Sequence, residues 1–199
     1  MANLLRGGFS PVGGNRARPV KYVVASGFSL SNSCVGMAPG DVVKRVSDGT
    51  VVLADSADTS LLGVIAAVSY LDASGRRVYG GYVPAGTTYT GDADVINPNA
   101  IYCHVWTDLD IEYETYLSTA SSTVLTNFQL INNSADITAT SSTSVDTVYK
   151  RSLRGVIGTG QTGAANVQIL EILRNPAQDY ASANMRVKVR FIENALVGV

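Results

Sequence analysis

Four carboxylates at alternate positions, Asp108, Asp110, Glu112 and Glu114, are the residues of this chain best placed by type and spacing to do chemistry. In an extended strand every second residue shares a face, so the four would form one acidic stripe. Oxygen ligands of this kind can hold calcium, and a pair of carboxyl groups can hydrolyse a glycosidic bond. A straight strand, however, spreads alternate residues by roughly 6.5 Å instead of curving them around an ion. No Asp-rich calcium loop with its central glycine is present. The stripe therefore reads as a solvated or partner-facing surface, and no metal and no cofactor are expected. His104 is the single histidine, which removes any multi-histidine metal centre. It adjoins Cys103, but neighbouring strand residues point to opposite faces, so a Cys–His nucleophile is not expected. Gly158-Thr159-Gly160 with Gly163 lacks a lysine and a following helix, and reads as a turn. The phosphate-loop, dinucleotide and nucleophile-elbow patterns are absent. The expectation is a protein without catalytic residues.

The elements around these residues are short β-type runs separated by turn signals. Val20–Ala25 is the first. Pro39-Gly40-Asp41 turns into Val42-Val43, and Ser47-Asp48-Gly49 joins it to Thr50–Ala54 as a hairpin, since Asp-Gly favours turns with positive φ. Leu61–Tyr70 holds the apolar run GVIAAV, and Arg77–Val83 stops at Pro84. Ala100–Leu117 alternates strictly on both sides of a bend and carries the acidic stripe in its second half. Residues 118–147, rich in Ser and Thr, read as a polar loop or a weak edge hairpin around Phe128–Ile131. Leu153–Ile157 and Asn166–Leu173 are core-type strands. Only 176–184 is helix-friendly, and it is short. The fold class expected is all-β: a single β-sandwich or β-barrel over 20–175, with an N-terminal arm (1–19) and a C-terminal strand extension (176–199).

Both ends are basic. Residues 1–45 carry six basic and one acidic residue (+5), 46–149 two and twelve (−10), and 150–199 seven and three (+4). Gly7, Gly8, Gly13, Gly14, Pro11 and Pro19 make 1–19 unsuited to folding alone, and Arg6, Arg16 and Arg18 give it charge. In the tail, Met185, Val187, Val189 and Phe191 alternate with Arg186, Lys188 and Arg190. That is a half-buried strand with a cationic outer face, expected to dock on its own sheet or on a neighbour's. The contact residues expected from these patterns are Arg6, Phe9, Arg16, Arg18, Val187, Lys188, Val189, Arg190 and Phe191.

Charged residues are only 16% of the chain, below the roughly one quarter of an average soluble domain, which suits packed interfaces. Ten of the aromatics are Tyr, whose apolar face and hydroxyl fit sheets and interfaces. Net charge is −1 and basic residues do not interleave with aromatics, so no nucleic acid is expected as a partner. Two cysteines do not make a disulfide scaffold, and free thiols in a reducing cytoplasm are expected. The N-terminus lacks a signal-peptide pattern and no apolar run is long enough to span a membrane.

One ordered series of short motifs adds to this reading: Gly8-Phe9-Ser10-Pro11, Pro39-Gly40-Asp41-Val42-Val43, Gly63-Val64-Ile65, Tyr82-Val83-Pro84-Ala85, the acidic run Asp108–Glu114, Gly155-Val156-Ile157 and Val167–Asn175. In that order they resemble the head decoration (cement) proteins of tailed bacteriophages, over about residues 8–175; the tail after Pro176 departs from the pattern. The resemblance implies a virion protein on the capsid exterior, made in the host cytoplasm, that binds the major capsid protein and is often a homotrimer at local threefold positions. A different reading from the residues alone is a glycan-binding or adhesion module, with Tyr-rich loops stacking on sugars; the absence of clustered Trp disfavours it. A β-rich hydrolase using the acidic pair is disfavoured because no site constellation accompanies it.

Overall fold

The computed structural model describes residues 7–13, 18–25, 36–58, 61–84, 87, 100–108, 110–118, 129–138, 145–146, 149, 151–157, 166–174, 179–181 and 183–192. These residues form strands and turns and no helix. The chain opens with β1 (Ser10–Gly13). It continues through β2 (Val20–Val23), β3 (Gly36–Met37), β4 (Val42–Arg45), β5 (Val51–Leu53), β6 (Gly63–Leu71), β7 (Arg77–Tyr79), β8 (Val83–Pro84) and β9 (Tyr102–Trp106). The second half supplies β10 (Glu112–Leu117), β11 (Ser134–Ile137), β12 (Val145–Asp146), β13 (Arg151–Ser152), β14 (Val156–Ile157), β15 (Val167–Ile172) and β16 (Met185–Phe191). The all-β expectation holds.

Five of these strands close a barrel in the order β10-β14-β11-β15-β16, with β16 returning to pair antiparallel with β10. β1 joins the same sheet, antiparallel to β10, with Ser10 opposite Glu114 and Pro11 opposite Tyr113. A second sheet runs β2-β9-β6-β4-β5, with β7 also on β6. A parallel bridge from Val24 to Val51 brings its two ends together. The chain thus leaves the barrel sheet after β1, builds the second sheet, and returns at β10. Because β1 and β10 are paired neighbours, the second sheet is an insertion whose exit and return lie side by side.

This arrangement corrects the reading of Ala100–Leu117 as one bent strand. Its first half, β9, lies in the inserted sheet and its second half, β10, in the barrel. The turn at Asp108–Asp110 is the crossing point, held by the Asp110 N–H donating to Asp108 Oδ1 at 3.0 Å. The Ser/Thr-rich region also differs from expectation. Ser134–Ile137 is β11, flanked by β14 and β15, and not part of an edge hairpin. Phe128 lies outside the described residues. Gln129–Asn132 form a turn that buries Leu130. The hairpin through Asp48-Gly49 is present, with Val43 opposite Leu53 and Gly49 at φ 83°.

Two cores follow from strand alternation. On β4, Val42 packs into the barrel's cluster and Val43 into the inserted sheet's; on β6, Val64 and Ile65 divide in the same way. Every second residue faces the opposite side, so β4 and β6 are apolar on both faces and join the two bodies. The continuous apolar run GVIAAV has this cause.

Residues 10–13 and 185–191, near the two ends of the sequence, are built into the barrel sheet. Met185, Val187, Val189 and Phe191 are buried, as their alternation predicts, and β16 sits between β10 and β15. Phe9 is 2% exposed. Its ring centroid lies 6.4 Å from Tyr113 and 5.9 Å from Phe191, which are themselves 5.3 Å apart. Phe9, Val187, Val189 and Phe191 were expected as partner contacts. They are instead internal contacts of the barrel, because an apolar side chain that can be buried within its own subunit gains about 1.5–3 kcal/mol there.

Candidate functional site

The carboxylates first considered do not form a single stripe. Asp108 and Asp110 lie in the crossing turn, and only Glu112 and Glu114 stand on β10. Glu114 is held by Arg186 at 2.5 Å. Glu112 meets Lys188 at 3.3 Å, and Lys188 also reaches Glu171 at 3.5 Å. These hydrogen-bonded carboxylates hold Lys188 above the usual lysine range. The cationic face of the tail is therefore matched to acids of its own chain, across the β10–β16 and β15–β16 pairs. Of the remaining basic residues expected to meet a partner, Arg190 is exposed and donates to Gln168 Oε1 at 3.0 Å. Arg18 is exposed. Arg6 and Arg16 lie outside the described residues.

Cys103 is free and fully buried in the inserted sheet, and burial pushes its thiol up to about 12. A thiol so shifted is not ionised near neutrality and is a poor nucleophile. His104, its neighbour, points to the other face and is half-buried. Among the described residues, no three or more His, Cys, Asp or Glu side chains come together as a metal site. Nor is any helix among them long and apolar enough to cross a membrane.

What the fold does bring together is a joint and a cleft. The turn Pro39-Gly40 of the inserted sheet is clamped by the barrel's chain: Phe9 N–H donates to Gly40 O at 3.0 Å, and Ser152 N–H to Pro39 O at 2.9 Å. Gly8 N–H donates to Ser152 O at 2.5 Å, which closes the ring of contacts. Gly40 sits at φ 89°, and a side chain at Gly8 would run into the Gly40 carbonyl and Ser152. Glycine at both positions lets three backbone segments meet. Asp41 follows the turn and is fully buried, with its Oδ2 accepting from Ala38 N–H at 2.8 Å. Burial pushes its carboxyl up to about 6, opposed by the Arg154 guanidinium and the Ser152 hydroxyl. Arg154, also buried, donates from Nε and Nη2 to Thr138 O at 3.1 and 2.6 Å.

Beside this joint lies an open cleft of about 320 Å³, within the range of small-ligand and side-chain pockets. Gly7 to Pro11 form one wall, and Pro39, Gly40, Ile65 and Ala66 another. The register of β6 against β9 shifts between Ile65 and Ala67, so Ala66 is the bulge residue of that ladder. Bulges recur beside binding sites because they re-aim the chain. Trp106, Arg151 and Arg186 complete the lining. Arg186 is neutralised by Glu114. Arg151 is different. Its guanidinium lies 5.0 Å from the exposed Tyr149 ring. Asp146 stands opposite Arg151 in the β12–β13 pair, but among the described residues no carboxylate lies within ion-pair distance of its guanidinium.

The cleft was not foreseen. Its residues come from six separated stretches, and no local spacing links Trp106 to Arg151. The available signals were that Trp106 is the only tryptophan and that Pro39-Gly40 is a strong turn. No protein-family model matches this chain, and neither a curated protein nor a solved structure matches it.

Proposed function

We propose that this chain is a structural protein of a tailed-bacteriophage particle, a head decoration protein that binds the outside of the assembled capsid and cements major capsid protein subunits. The observation that carries the reading is the ordered series of motifs from Gly8 to Asn175. Three of its members, Gly8–Pro11, Pro39–Val43 and Gly63–Ile65, meet at the joint: Phe9 bonds Gly40, and Gly40 N–H donates to Ile65 O at 2.9 Å. Motifs far apart in sequence thus serve one structural purpose. An all-β body with β1 and β16, its first and last described strands, paired into one sheet suits a rigid clamp. The resemblance further favours a homotrimer at local threefold positions, with the capsid as the only other partner.

A glycan-binding module is the second reading, favoured by Tyr79 and Tyr149, which are 78% and 71% exposed. Exposed tyrosine rings can stack on sugars. Mixing the purified protein with undecorated expanded heads and sedimenting them separates the two. Saturable co-sedimentation supports cementing; heads that pellet without the protein count against it.

A further inference from the structure

We propose that the cleft beside the joint is a docking pocket for a carboxylate carried on an acidic peptide segment of a partner protein. Two observations lead there. The cleft is large enough for one or two side chains. It contains a guanidinium, that of Arg151, with no carboxylate partner among the described residues, whereas Arg186 in the same lining is already paired. A guanidinium presents parallel N–H donors in a fork that matches a carboxylate. Pro11 and Trp106, both partly exposed, give apolar surface for the stem of an Asp or Glu or for its neighbours.

Gly7 explains why the pocket is open on this side. Its φ is +51°, and a Cβ there would stand 2.9 Å from Arg151 Cδ. The absence of a side chain lets the Arg151 stem lie against the backbone while its head stays in the lining. Tyr149 stacks on the same guanidinium, which restricts its orientation before any ligand arrives.

Choosing a peptide as the carrier of the carboxylate rests on the capsid-binding reading; the pocket itself does not. Trp106 is the single tryptophan and lines the cleft, so its emission reports occupancy directly. The probes are a capped oligo-glutamate peptide, the matching oligo-glutamine peptide, sulfate, and an oligogalacturonate. The expected result is a saturable change in Trp106 emission with oligo-glutamate, none with oligo-glutamine, and much weaker responses to sulfate and oligogalacturonate. Arg151→Gln should weaken oligo-glutamate binding about tenfold or more, because a charge-assisted bond is lost. Arg151→Lys should recover only part, since lysine lacks the fork. An unchanged affinity in Arg151→Gln with a native circular dichroism spectrum overturns the proposal, as does no saturable response to oligo-glutamate. An equal response to sulfate overturns the carboxylate assignment, and tighter binding of oligogalacturonate overturns the peptide. Head co-sedimentation separates the two readings. Wild type and Arg151→Gln binding heads equally leaves cementing standing and removes the pocket. Wild type binding the peptide but not the heads leaves the pocket standing and removes cementing.

Discussion

Arg186, on the last strand, holds Glu114 of β10 at 2.5 Å within one chain. This pair, with Lys188 between Glu112 and Glu171, consumes much of the charge polarity that the sequence displays between its middle and its end. The basic tail is a barrel component. Its charges orient β16 against two neighbours in place of a partner.

Lys188→Glu should therefore destabilise the fold itself. The reversal puts a third acid beside Glu112 and Glu171, and like charges across strands are unfavourable. All three groups are partly exposed, so the effect is on the order of 1 kcal/mol after solvent screening. Urea unfolding at low and high salt checks it: the loss should shrink as salt rises. A loss that does not depend on salt would point to packing instead of charge.

Removing the last strand should be far more damaging. Four side chains, Met185, Val187, Val189 and Phe191, are buried in the barrel. At about 1.5–3 kcal/mol each, their loss is comparable to the whole stability of a typical domain. A chain truncated before Met185 should be insoluble or lack cooperative unfolding. Val189→Asp alone should act in the same direction, since Val189 lies opposite Tyr113 and Ile169 and an unpaired charge there has no water. A soluble, cooperatively folding truncation would show that the tail is an appendage.

Phe9→Ala tests the other end. Phe9 completes an aromatic trio with Tyr113 and Phe191. Truncating a buried Phe typically costs about 3–5 kcal/mol. Equilibrium denaturation should show a loss of unfolding free energy of that size. A loss near zero would mean that residues 7–13 behave as a free arm.

Asp41 should give the protein a pH dependence of unusual sign for a carboxylate. Burial raises its folded value to about 6 from an ordinary 3.8. The folded state therefore holds the proton more tightly than the unfolded chain does. Stability from this group is full below about pH 4, falls as pH rises toward 6, and is level above that. A shift of this size corresponds to about 3 kcal/mol. Asp41→Asn should flatten that part of the stability profile when unfolding is followed from pH 4 to 7. An unchanged slope in the variant would place the effect elsewhere.

The strands were largely readable because alternation is local. Met185–Phe191 and the Asp48-Gly49 hairpin needed only their own residues. What was not readable is which sheet each strand joins. Tyr102–Trp106 and Glu112–Leu117 share one continuous pattern yet belong to different sheets, and nothing in the alternation marks the crossing as a change of partner. The glycines and prolines near the start suggested a loose arm, but Gly8 serves a close approach of three backbones that only the fold supplies. The acidic stripe misled for a related reason. Its carboxylates were visible, while the cations opposite Glu112 and Glu114 lie more than seventy residues away. The cleft needed all of these long-range pairings at once.

The most direct test of the decoration reading is a residue-resolution map of a particle carrying this protein. The account predicts density for the barrel and its inserted sheet on the outside of the head, repeated as trimers over local threefold positions, with an Asp or Glu of a capsid subunit in the cleft beside Arg151. A shell that lacks the chain, or density for it only at the tail tip, would contradict the account.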